Sequence, residues 1–138
     1  MADKFSLNII TPERVVFQGE VEAVYAPGYK GEFGVLAGHK PYLVMLKVGE
    51  LKIRQGDKWL YSAISAGFAE VDYKSMKILA ETCELCAEID VARAERAKTR
   101  AEENLKKLDP IKDEQAFVET QFALYRALNR LQVAKKQT

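Results

Sequence analysis

Period-two alternation of apolar and polar residues runs through the first part of the chain. Phe5, Leu7 and Ile9 alternate with Ser6 and Asn8, and Val15 and Phe17 follow a turn at Thr11-Pro12. Val21, Ala23 and Tyr25 alternate with Glu22 and Val24 ahead of Pro27-Gly28. Leu51 and Ile53 alternate with Lys52 and Arg54, and Met76, Ile78 and Ala80 with Lys77 and Leu79. Such alternation marks strands with one buried face. Gln55-Gly56-Asp57 predicts a hairpin turn before the run Trp59 to Ile64. Short strands punctuated by Gly, Pro and Asp predict an antiparallel sandwich or barrel, whose two inner faces share one core.

After Glu88 the period changes. Val91, Ala94, Ala101, Leu105 and Leu108 recur at helical spacing, with Asp90 as N-cap and Asp109-Pro110 as stop. Asp113 starts a second helix with Phe117, Leu124, Leu128 and Leu131 on one face, widened by Val118, Phe122 and Tyr125. Two amphipathic helices joined by a few residues predict an antiparallel helical hairpin. The stripe of the first helix is mostly alanine, which buries little apolar area. The hairpin is therefore expected to be marginally stable and loosely attached, and marginal elements are the ones that move.

The distribution of residue types supports the same division. All eight glycines lie between Gly19 and Gly67, and ten of the thirteen aromatics precede residue 74. The tail is rich in Ala, Glu, Lys, Arg and Leu, all good helix formers. We expect a β-sandwich unit at 1–87 and a helical hairpin at 88–138, joined by a short stiff connection. A net charge of +1 argues against a dedicated nucleic-acid binder. No apolar run approaches the roughly 20 residues of a membrane span, and the N-terminus lacks a signal-peptide core. The expectation is a cytosolic protein, neither secreted nor inserted.

Two local patterns bear on chemistry. Gly31 to Pro41, GEFGVLAGHKP, is a shaped loop or corner, and it has neither the Gly-Lys-Ser/Thr of a P-loop nor a dinucleotide fingerprint. Cys83-Glu84-Leu85-Cys86 is a Cys-x-x-Cys, but tetrahedral zinc needs four ligands and no second cysteine pair exists. If the preceding strand continues, the odd spacing points the two thiols to opposite faces. Two ordinary cysteines are the simpler reading, with a redox pair as the alternative. His39 is the sole histidine and the sole candidate base for a nucleophilic site.

GEFGVLAGHKP resembles the signature loop of the epsilon-subunit family of the F-type ATP synthase, with Ala37 where that family usually has proline. Ser65-Ala66-Gly67-Phe68 resembles its Ser-Gly-Gly-Phe strand turn, with Ala66 for a glycine. Lys77 to Thr82 resembles its last strand, and Ile89-Asp90-Val91-Ala92-Arg93-Ala94 its helix-opening motif. The resemblance implies a sandwich of about ten short antiparallel strands followed by a helical hairpin. It implies a noncatalytic rotor subunit, without a cofactor, bound to the gamma subunit and resting on the ring of c subunits. Such a subunit is peripheral to the cytoplasmic face of the bacterial inner membrane. It implies that Glu32 and His39 touch the c ring. It also implies that the extended hairpin meets the alpha and beta subunits and blocks ATP hydrolysis.

Some bacterial members sense ATP, and this chain resembles them at Glu84, Ile89, Asp90, Arg93, Arg100, Arg126 and Arg130. Arg93 and Arg100 share a helix face by spacing, as do Arg126 and Arg130, and guanidinium forks suit phosphate oxygens. By resemblance, Glu84 and Asp90 meet the adenine or ribose. Arg126 and Arg130 have no acidic residue three or four positions away, so they face each other as like charges that an anion would relieve. The alternatives to a rotor subunit are a freestanding nucleotide- or partner-binding module and a redox protein using Cys83 and Cys86.

Overall fold

A computed structural model of the chain describes residues 3–136. Eight strands precede the helices: β1 Phe5–Ile10, β2 Val15–Val21, β3 Ala23–Gly28, β4 Gly31–Leu36, β5 Tyr42–Leu46, β6 Gly49–Gln55, β7 Lys58–Val71 and β8 Ser75–Leu85. Two of them, β7 and β8, are long enough to serve both layers of a sandwich. The first half of β7 pairs with β6 and with the end of β8, while its second half pairs with β5 and with the start of β8. One layer is therefore β2-β1-β8-β7-β5 and the other β8-β7-β6-β3-β4. Eight strands, two of them shared, give the ten segments that the resemblance implies. One pairing departs from the antiparallel expectation, because β1 runs parallel to β8.

The bend that lets β7 change layers sits at Ala66-Gly67. Gly67 has φ +153°, and a Cβ there would overlap the Leu79 carbonyl oxygen and stand 2.8 Å from Ala80 Cα. Ala66 holds φ +47°, the left-handed region that an L side chain resists. Ala66→Gly should therefore stabilise the chain by about 0.5–1 kcal/mol, strain relief being partly offset by the entropy of the more flexible unfolded glycine. Gly67→Ala should lower the melting temperature by many degrees, since the overlap is with backbone. Thermal melts of both variants check this, and a drop for Ala66→Gly would contradict the strain argument.

The inner faces carry the apolar positions that alternation marks. Ile9, Ile78 and Ala69 form one buried row, and Ile53, Val24 and Val35 another from the opposite layer. β2 departs from expectation. A bulge between Ile9 and Ile10 shifts its register, so Val16 is buried while Val15 is exposed and Phe17 only half-buried. In β3, Ala23 and Val24 are both buried, so burial there does not alternate.

A 3-10 turn, Cys86–Glu88, connects the sandwich to α1 (Val91–Lys107), and α2 (Glu114–Ala134) folds back alongside α1. Asp90 caps α1, its carboxylate accepting from the Arg93 N–H at 3.0 Å. Asp109 turns the chain between the helices by accepting from the N–H groups of Ile111 and Lys112 at 2.8 and 3.0 Å. Only Ala94 and Ala101 of α1 are buried. Docking of α2 on the sandwich is equally slight in apolar area. Val133 packs with Ala63 and Ile89 on the outer face of the second layer, and Asn129 Nδ2 donates to the Gly49 carbonyl at 2.8 Å.

Candidate functional site

The end of β8, the 3-10 turn and the facing sides of α1 and α2 enclose a cleft of about 870 Å³, within the range of small-ligand sites. Six of the seven residues matched to the ATP-sensing members line it: Glu84 from β8, Asp90 at the cap of α1, Arg93 and Arg100 from α1, and Arg126 and Arg130 from α2. The seventh, Ile89, is buried outside the cleft, packed with Ala63 and Val133. Spacing alone explains how each helix presents its pair, because positions seven and four apart fall on one face. The fold-back of α2 then aims the two pairs at each other. Small residues, Ala97 and Ala123, lie between them and leave the space open.

The charges are partly consumed within the cleft. Arg130 Nε pairs with Glu84, and its Nη2 donates to Thr82 Oγ1 at 3.4 Å. Arg130 has no acidic residue three or four positions away on its own helix, and its partner Glu84 reaches it from β8. Arg14 forms a two-pronged pair with Glu88, Nη1 to Oε2 at 2.9 Å and Nη2 to Oε1 at 2.8 Å. That contact, above all, holds the Glu88 carboxyl below the usual carboxylate range, with the Leu85 N–H helping and burial opposing. Among the described residues, Arg93, Arg96, Arg100 and Arg126 have no carboxylate within ion-pair distance. These four guanidiniums share the cleft with the carboxylates of Glu13, Glu81 and Asp90, which likewise have no ion-pair partner among the described residues.

The remaining expected residues lie elsewhere. Glu32 is the second residue of β4 and pairs with Lys52 at 3.5 Å. His39 follows the far end of that strand, its Nδ1 lying 2.6 Å from the Lys40 carbonyl and its ring beside Tyr42. About 13 Å of extended backbone runs from Glu32 to the end of β4 at Leu36, and His39 lies beyond it in the turn that follows, so the two do not share one loop tip. Gly34, between them, gives its space to Tyr25, whose ring would lie 2.7 Å from a Cβ there. Cys83 is in the core against Ser62 Oγ, and burial pushes its thiol up to about 11. Cys86 instead lies under the end of α2, facing the Ala134 and Lys136 carbonyls. A raised thiol pKa makes Cys83 a poor nucleophile, which weighs against the redox alternative.

Residues 4–86 match the family described as ATP synthase, Delta/Epsilon chain, beta-sandwich domain, and residues 87–135 match its long alpha-helix domain. The chain belongs to the ATP synthase delta/epsilon family. It is 48% identical over 136 residues to the ATP synthase epsilon chain of Syntrophobacter fumaroxidans, covering 99% of each chain. It is 41% identical over 138 residues to that of Geobacter metallireducens, covering 100% of this chain and 99% of the relative. A chain of the Euglena gracilis mitochondrial ATP synthase superposes with a TM-score of 0.80 at 26% identity, over 96% of this chain and 82% of the other.

Within this delta/epsilon framework, sequence reasoning missed several cleft residues. Arg14 and Glu88 are 74 positions apart and meet only because the β1–β2 turn lies beside the end of β8. Arg96 shares α1 with Arg93 and Arg100, and its position three residues after Arg93 could have marked it.

Proposed function

We propose that this chain is a noncatalytic central-stalk subunit of a bacterial ATP synthase, peripheral to the cytoplasmic face of the inner membrane. Its sandwich binds gamma and rests on the c ring through the β4 edge, which carries Glu32, and the turn after it, which carries His39. Its hairpin, when extended along gamma, touches alpha and beta and blocks ATP hydrolysis. ATP in the cleft holds the hairpin folded and noninhibitory.

The observation that carries the regulatory part is the composition of the cleft. Its walls come from β8, α1 and α2 at once, so it exists only while the hairpin is folded back. A ligand bound there stabilises that state over any extended one by its differential affinity. Extension gives up few contacts with the sandwich, because α1 packs on α2 and α2 docks there chiefly through Val133, Asn129 and the Arg130–Glu84 pair. Lys136 adds an exposed ion pair to Glu50 at 3.7 Å, of the kind that contributes about 0–1 kcal/mol.

Shortening the chain to end at Ala87 should leave assembly with gamma intact. It should raise ATP hydrolysis by the assembled complex on the order of fivefold, the lower end of an allosteric coupling. The measurement is hydrolysis by complexes carrying the full and the shortened chain, without detergents that release the subunit. Equal rates would remove the inhibitory role. A shortened chain that folds but no longer copurifies would favour the reading as a freestanding module, or reverse the division of labour between sandwich and hairpin.

A further inference from the structure

The following inference rests on the nucleotide reading of the cleft and concerns the wall that the sandwich supplies. The residues already assigned to the ligand come from β8, the cap of α1, and the two helices. None comes from the β1–β2 turn, yet Thr11, Glu13 and Arg14 of that turn line the same cavity. Arg14 commits both terminal nitrogens to Glu88, at 2.8 and 2.9 Å. The pair is 45% and 38% exposed, so it faces the open cleft rather than a closed core.

Glu88 stands two positions before Asp90, in the same cavity as the guanidiniums of Arg93, Arg100 and Arg126. A polyphosphate held by those arginines would share the cavity with this carboxylate. Glu88 also has a structural task, since its Oε1 accepts the Leu85 N–H at 3.0 Å and so closes the 3-10 turn. Five carboxylates line the cavity, Glu13, Glu81, Glu84, Glu88 and Asp90, and Glu88 is the one answered by a guanidinium from a distant turn.

We propose that Arg14 is a determinant of anion binding in this cleft, acting through Glu88 by cancelling its charge. It is a positioning residue and not a ligand, because the face of its fork is already occupied. Without it, the Glu88 carboxylate would repel the phosphates. A like charge within about 8 Å near a protein surface changes a binding constant by roughly tenfold or more. The ligand class this favours is a highly charged polyphosphate, which the four remaining unpaired arginines match.

The test is calorimetric titration of the full chain with ATP, in the unmodified form and in Arg14→Ala, Glu88→Gln and the double variant. Arg14→Ala should bind about tenfold more weakly, less so at high salt, where exposed charges are screened. Glu88→Gln should bind at least as tightly as the unmodified chain, because its amide oxygen still accepts the Leu85 N–H. The double variant should recover most of the affinity, since the charge exposed by losing Arg14 is gone. A pair that merely pins the turn gives a different pattern, in which both single variants and the double are all weakened. A double variant as weak as Arg14→Ala, or an Arg14→Ala variant as tight as the unmodified chain, overturns the proposal while leaving the cleft reading in place. Absence of saturation by the unmodified chain removes the cleft reading and this inference with it.

Discussion

Phe68→Asp is expected to strip this chain from gamma while leaving its own fold intact. The reason lies on the outer face of the first layer. Register places Val15 opposite Ile10, Ile10 beside Leu79, Leu79 opposite Phe68, and Phe68 opposite Met45. Five apolar side chains from five neighbouring strands therefore form one row. Val15, Leu79, Phe68 and Met45 are each about half exposed, at 55%, 49%, 49% and 54%. The outer face of the other layer is taken by α2, which covers Ala63. The chain thus buries one outer face by itself and leaves the other apolar. A contiguous apolar row on a sheet face is where a partner docks, and gamma is the partner this reading assigns to the sandwich. Burying a phenylalanine side chain contributes about 1.5–3 kcal/mol, and a charge placed in the interface adds a desolvation penalty. Together these amount to a loss of about a hundredfold or more in affinity. Copurification of the complex and a thermal melt of the free chain are the two measurements. Retained association with an unchanged melt would move the gamma interface off this face.

Legibility in the sequence followed the range of the interactions. Phe5, Leu7 and Ile9, or Met76, Ile78 and Ala80, announced themselves because pleating fixes a period of two, and they are buried. Asp90 announced a helix start because capping is a matter of two or three residues, and its carboxylate accepts the Arg93 N–H. Asp109 announced a helix end because it precedes Pro110. What failed was non-local. The bulge that buries Val16 instead of Val15 depends on how β2 meets β1. The parallel pairing of β1 with β8 joins segments some seventy residues apart. The apolar row could not be seen at all, since each of its five residues belongs to a different strand and only register aligns them. The cleft divides the same way. Arg93 with Arg100 and Arg126 with Arg130 were named by resemblance, and helical spacing put each pair on one face, whereas the partners that neutralise Arg130 and Glu88 reach across the fold.

That division gives the ATP prediction its form. Titration of the full chain with ATP should show saturable binding at a single site, and Arg126→Ala and Arg130→Ala should weaken it for different reasons. Arg126 has no acidic partner among the described residues, so its replacement removes a donor to phosphate and nothing from the unliganded fold. A hydrogen bond to a charged group contributes about 1.5–3 kcal/mol, which corresponds to roughly ten- to a hundredfold in affinity. Arg130 ties α2 to β8 through Glu84 and Thr82. Its replacement should therefore both weaken ATP and loosen the hairpin. Cys86 reports the difference, because it lies under the end of α2 whereas Cys83 is buried in the sandwich core. Alkylation of Cys86 should be slow in the unmodified chain, slower with ATP, unchanged in Arg126→Ala without ATP, and faster in Arg130→Ala. Lack of saturation at millimolar ATP, or variants that bind as tightly as the unmodified chain, would leave these arginines as contacts for the partner subunits. An alkylation rate indifferent to ATP, in a chain that does bind it, would separate the ligand from the hairpin and end the sensor reading.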